Sequence, residues 1–166
     1  MITIKKTSPK DFESIKDSIV RVENLAFEED VRFVYEDGDF DNFELENSLC
    51  YIIIDTDAKS SKQIIGYIMA GPVENDSRYK KSKYWNTNTL HLDSIAIDPK
   101  YQGQGLGLKA INKLILDAKK YKFSSIILDA TSVGMHKLSL KTGFKKIRHY
   151  KKWEGNRENY FMEKKL

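Results

Sequence analysis

The sequence predicts an α/β protein: one mixed sheet of about seven strands flanked by about four helices, in a single domain over residues 1–166. Three observations predict it. Short β-branched runs alternate with longer stretches whose apolar residues recur at helical spacing. One apolar run, Leu90–Ile97, leads through a turn with three alternating glycines straight into an amphipathic segment. No Gly-, Ser- or Pro-rich linker and no internal repeat divides the 166 residues, a length that suffices for one core.

The elements follow in order. Ile2–Ile4 alternates and reads as a first strand. Ser8 and Pro9 supply an N-cap and a first helical residue, and Phe12, Ile15, Ile19, Val22 and Ala26 then share a helical face. The acidic stretch 27–47 reads as a loop with a short second helix near Asp41–Asn47. Leu49–Ile54 is a buried strand, Asp55–Lys62 a polar turn, and Ile64–Ala70 the returning strand of a hairpin. Residues 72–88 form a polar loop with Tyr79, Tyr84 and Trp85, and Leu90–Ile97 is the next strand. Behind the glycines, Leu106, Ala110, Ile111, Leu114, Ile115 and Ala118 make one apolar helix face. Ser125–Leu128 is a strand, and Val133–Lys141 a short helix with Gly143 at its C-cap. Phe144–Lys152 and Tyr160–Lys164 are the last two strands.

Composition narrows the function classes. Hydrophobic residues at 40% with 31% charged read as a soluble globular chain. No apolar run approaches the ~18 residues of a membrane span, and MITIKKTSPK lacks a signal-peptide core. A single cysteine, Cys50, excludes an internal disulfide and fits a reducing cytoplasm. It sits within Leu49–Ile54, the place of a small buried hydrophobe and not of a nucleophile. One Cys and three scattered His give no structural-zinc spacing, so no metal is expected. The net charge of +4 hides an asymmetry: residues 23–47 hold ten acids and one base, Arg32, a local charge of −9. A solvated surface explains such a segment, and so does a mouth that attracts cations. Two basic stretches, Arg78–Lys83 and Lys145–Lys152, come without a recognised nucleic-acid module and read as solvated faces.

Strand, Gly-rich turn and helix together expose backbone N–H groups at a helix N-terminus, where unpaired donors and the dipole bind phosphate. A Rossmann turn is the rival reading, and Asp129 ends a strand at about the ~20-residue distance of a ribose-binding acid. Two features oppose it. The glycines lie mid-chain, and a spacer containing Pro99 separates them from the strand. The run Gln102-Gly103-Gln104-Gly105-Leu106-Gly107 resembles the Q/R-x-x-G-x-G/A signature of GNAT-type N-acetyltransferases. A second segment, Leu138-Ser139-Leu140-Lys141-Thr142-Gly143-Phe144, resembles that superfamily's L-Y-x-K-x-G-F, and Tyr160–Lys164 is similar to its usual last strand.

The resemblance implies a GNAT-like fold and acetyl-CoA as cofactor. Pantetheine would pair with the main chain of Ile95, Ala96 and Ile97. The pyrophosphate would rest on the N–H groups of Gly103, Gln104, Gly105, Leu106, Gly107 and Leu108, with Gln102 at the first position of the cofactor signature. Ser132, Ser139 and Lys141 would complete the cofactor contacts. Ser139 stands where the family commonly has a Tyr that protonates the leaving thiolate, and Ser132 where it has an Asn. A serine hydroxyl is a poor acid. Another group or water therefore takes that role, or the thiolate leaves unassisted.

Acetyl transfer needs a neutral amine, so a proton acceptor must lie close. Alternation along a strand puts His91 and Asp93 on one face. The family often places its base five residues before the position of Ala96, which is His91. An imidazole near ~6.5 suits the task, and Asp93 would orient it or relay through water. Asp129 and Thr131, at a strand end, would contact the acceptor amine, and Glu36, Asp37 and Asp39 would draw it in. His136 and His149 read as surface or packing residues. The expected activity is acetyl transfer from acetyl-CoA to a primary amine, on a small molecule or a peptide, by direct attack. A CoA-binding sensor of the same fold is the second reading and a nucleotide- or RNA-binding protein the third. Membrane partners are not expected. The sequence does not reveal oligomeric state, and a homodimer stays open.

Overall fold

The computed structural model describes residues 1–35, 38–57, 63–152 and 157–166. Its strands are β1 (Ile2–Lys6), β2 (Leu49–Asp55), β3 (Gln63–Pro72), β4 (Thr89–Ile97), β5 (Ser125–Ala130), β6 (Lys145–Tyr150) and β7 (Asn159–Lys165). Its α-helices are α1 (Pro9–Ala26), α2 (Leu106–Lys120) and α3 (Val133–Lys141). The seven strands form one mixed sheet in the order β1-β2-β3-β4-β5-β7-β6, parallel at β4–β5. The chain groups into two compact units, one of Met1–Gly71 with Ser94–Ala110 and one of Pro72–Asp93 with Ile111–Leu166.

The first unit starts from the amphipathic face of α1. At its N-terminus the Asp11 carboxylate accepts the Ser8 backbone N–H at 2.9 Å and the Ser8 hydroxyl at 3.0 Å. Phe12, Ile19 and Val22 are buried in a core with Phe40, Phe43, Ile52, Tyr67, Met69 and Ala96, and the Phe12 and Phe43 rings stack at 5.2 Å. Cys50 is buried in β2 and its thiol donates to the Asn42 carbonyl. The β2–β3 hairpin forms as expected, from Leu49↔Ala70 to Asp55↔Gln63. Residues 58–62 of its turn lie outside the described residues.

The expected helix near Asp41–Asn47 is not there: a single 3-10 turn, Asp41–Phe43, stands in its place. The described residues hold three α-helices, in keeping with the about four expected. Asn42 and Ser48 bond to each other through their side chains at 2.9 Å, the local competition that keeps such residues out of helices.

In the second unit β5 pairs with β4 and with β7, and β6 forms the sheet edge. Residues 72–88 are more than a polar loop. They hold 3-10 turns at Val73–Asn75 and Ser77–Tyr79, and Tyr84 is buried against Phe161. Ser132 caps α3 by accepting the Met135 N–H at 3.1 Å. Gly143 ends that helix with φ +85°, a conformation that favours glycine. Phe144 is buried just ahead of β6, and the strand stops at Tyr150, two residues short of the expected Lys152. Among the described residues no helix is long and apolar enough to cross a membrane.

Candidate active site

Strand β4 runs to Ile97, yet its parallel ladder with β5 covers only Thr89–Leu92 against Ser125–Leu128. Among the described residues, 93–97 therefore have no ladder partner in β5, and their backbone groups on that edge must find another. Beyond Ile97 the chain turns through Asp98, whose carboxylate accepts the Lys100 N–H at 3.0 Å. Gln102 is exposed and its side-chain amide donates to the Ile97 carbonyl at 2.9 Å, bracing the turn against the strand end.

Gly103 and Gly105 have φ +77° and +75°, and a Cβ on either would meet nothing within 4 Å. These glycines are required by conformation, and they leave open space beside the backbone. The Lys109 N–H reaches the Gly105 carbonyl at 3.1 Å, so α2 begins its ladder at Gly105. The N–H groups that follow, at Leu106, Gly107 and Leu108, have no intrahelical acceptor. Leu106 is buried as an anchor, and Gln104, Gly105 and Leu108 are exposed. An exposed N-terminus of a 15-residue helix fits a pyrophosphate.

In the second unit an imidazole stands among carboxylates. The His91 side chain is 8% exposed, and its Nδ1 lies 2.7 Å from Asp93 Oδ1. Asp93 acts on the ring through its charge and through the contact at Nδ1. Tyr79 packs its ring 5.0 Å from His91. Asp76 offers a carboxylate within 4.8 Å of the His91 and Asp93 ligand atoms, but it is spent on a fork to Arg78 Nε and Nη2. The trio is therefore better suited to charge control than to metal ligation. Asp129 accepts from Asn159 Nδ2 at 2.9 Å. Burial pushes the imidazole down, but Asp93, with Asp129 and Asp76 behind it, outweighs this and raises it above the ordinary histidine value. Burial likewise raises the Tyr79 phenol, with Asp129 and Asp76 adding to it.

The structure thus brings His91, Asp93 and Asp129 into one electrostatic field, and adds Asp76, Tyr79 and Asn159. Those three lie in no motif, and only the tertiary fold gathers them. Thr131 and Lys141 are exposed. Ser139 is fully buried, and its hydroxyl donates to the His136 carbonyl at 2.8 Å, so it does not reach solvent. Asp39, in the first unit, accepts the Val34 N–H at 2.7 Å, while Glu36 and Asp37 lie outside the described residues. His136 and His149 sandwich the Tyr160 ring at 3.8 and 4.3 Å.

The sequence profile of the acetyltransferase (GNAT) family matches residues 17–144, and the chain belongs to that family. Its members take the acetyl group from acetyl-CoA, and this chain is an acetyltransferase of that type. Solved structures share the fold. The ribosomal-protein-S18-alanine N-acetyltransferase of Escherichia coli is 17% identical with a TM-score of 0.74, over 100% of this chain and 94% of that one. Arabidopsis thaliana NAA60 in complex with acetyl-CoA is 13% identical with a TM-score of 0.73, over 100% and 99%. A Drosophila melanogaster polyamine N-acetyltransferase is 12% identical with a TM-score of 0.71, over 100% of each chain. No curated protein sequence matches this chain.

Proposed function

We propose that this chain acetylates a primary amine on a cationic acceptor, by direct attack while both substrates are bound. The observation that carries this reading is on β4. One strand holds the imidazole–carboxylate pair at His91 and Asp93, then an edge with no β5 ladder at 93–97, then the Gly turn at the start of α2. Acetyl-CoA supplies the activated acetyl thioester. The backbone of Ile95, Ala96 and Ile97 would hold its pantetheine arm, and the N–H groups of 103–108 its pyrophosphate. A free N–H on the 95–97 edge would stabilise charge on the carbonyl oxygen.

His91 acts on the amine. Its raised affinity for protons makes it a stronger acceptor than a free imidazole, and Asp93 balances the charge it gains. Ser139, at the position of the family's usual tyrosine acid, is buried and already bonded, so another group or water would take that role, or the thiolate would leave unassisted. The acidic segment 23–47, at −9, raises the local concentration of protonated amines. Asp129 and Thr131 would meet the acceptor at the end of β5, and the charges of Glu36, Asp37 and Asp39 would draw cations in. The buried lone thiol of Cys50 agrees with a cytoplasmic setting.

A panel of amines, read by release of free thiol and by mass gain on the amine, tests the reading. Polyamines, lysine peptides and other cations should exceed neutral and acidic acceptors in kcat/KM. A best acceptor that is anionic would sink the cation assignment.

A further inference from the structure

Two hydrogen bonds in the first unit run in series from a half-buried serine on β4 to a buried carboxylate on α1. Ser94 Oγ lies 3.0 Å from Tyr67 Oη. Tyr67, on β3 and fully buried, donates its hydroxyl to Glu23 Oε2. Glu23 is 1% exposed, and its Oε1 accepts the Phe33 N–H at 2.7 Å. The direction of the series is forced. A phenol has one proton, and here it goes to Glu23, so Ser94 donates to Tyr67. The Ser94 oxygen keeps its lone pairs for a further donor, and it has no other partner among the described residues. The next three residues of β4 are Ile95, Ala96 and Ile97, the segment assigned to the cofactor arm.

We infer that Ser94, Tyr67 and Glu23 form a proton relay that takes the first proton from the acceptor's ammonium group. The inference rests on the acetyltransferase reading above. The ammonium N–H bond breaks and its proton goes to Ser94 Oγ. Ser94's own proton passes to Tyr67 Oη, and Tyr67's proton passes to Glu23 Oε2. The electron pair stays on nitrogen, leaving a neutral amine and a neutral carboxylic acid. An ammonium nitrogen sheds two protons on its way to an amide, and the relay accounts for the first.

The surroundings of Glu23 suit a proton acceptor. Burial raises its carboxyl, the bonds from Phe33 and Tyr67 lower it, Asp39 raises it and Arg32 lowers it. The net shift is upward, toward a group that takes a proton more readily than an exposed glutamate. Glu23 touches no substrate and acts through Tyr67 and Ser94.

Initial rates on the intact protein, with the best amine of the panel, test this. Glu23→Gln keeps the size and an acceptor oxygen but cannot take the proton. It should lower kcat at least tenfold, leave KM for acetyl-CoA within twofold, and abolish one acidic limb of the kcat–pH profile. Ser94→Ala should match that loss, Ser94→Thr should restore at least half of kcat, and the E23Q/S94A double variant should fall no further than either single one. Wild-type kcat in Ser94→Ala, or losses that multiply in the double variant, would overturn the relay. If Glu23→Gln does not fold, the Ala and Thr variants at Ser94 decide. Absence of amine-dependent thiol release in the wild type sinks the acetyltransferase reading itself, whereas an active wild type with an indifferent Ser94→Ala sinks the relay alone.

Discussion

His91 shows how one residue's surroundings set its chemistry. A free imidazole changes charge near ~6.5. Here burial opposes the charged form, and Asp93, Asp129 and Asp76 win against it. A base must be neutral to accept a proton, so kcat/KM should rise with pH through a value above 6.5, and His91→Ala should lower it by roughly 10²–10⁴. The sign for stability is opposite. A raised folded value means that the stabilisation by His91 is complete below the unfolded value and fades as pH rises through the folded one. Denaturant unfolding should show a wider gap between wild type and His91→Asn at pH 6 than at pH 8. Gly105 makes a second test. Its φ of +75° strains a β-branched residue, while a side chain there has open space. Gly105→Val should weaken acetyl-CoA binding at least tenfold, or about 1.4 kcal/mol, by calorimetry. The His91–Asp93 contact and the left-handed turn at Gly105 were legible because strand alternation and glycine spacing are local signals. Glu23, Tyr67 and Ser94 were not, because 44 positions separate the first two in sequence and only folding brings them together.

Strand β4 is the element on which the account turns, and its neighbour β3 is fitted to it at one glycine. A Cβ on Gly66 would meet the Ala96 carbonyl oxygen at 2.9 Å and Ile53 Cδ1 at 3.0 Å. Neither can retreat cheaply, because one is backbone and the other is packed in a strand. Gly66→Ala should therefore destabilise the fold by about 1–3 kcal/mol, read from the denaturation midpoint, and lower acetyl-CoA affinity by moving Ala96. The strands and the long helices were readable from their periodicity. Ile2–Lys6, Leu49–Asp55 and Asn159–Lys165 fall within two residues of the expected ends. The helix expected near Asp41–Asn47 failed because capping and turn residues resemble a helix start without the apolar repeat that sustains one.

At the scale of the whole molecule the chain carries two charges of opposite character. Residues 23–47 total −9 while the chain as a whole is +4. Not all of that acidity faces solvent: Glu23 is buried in the Tyr67 pair. The remaining exposed carboxylates act through a field that salt screens within ~8–10 Å at physiological ionic strength. KM for a cationic amine should accordingly rise with ionic strength while kcat stays nearly constant, and charge reversal at Glu36, Asp37 and Asp39 should reproduce the effect in low salt. A rate indifferent to both would make the segment a solvated surface. The central claim, direct transfer with both substrates on the protein, is tested most directly by initial velocities of thiol release with acetyl-CoA and amine varied together. Intersecting double-reciprocal lines, with one thiol freed per amide formed, are the predicted result. Parallel lines, or acetyl-CoA binding with no amine-dependent thiol release, would contradict it.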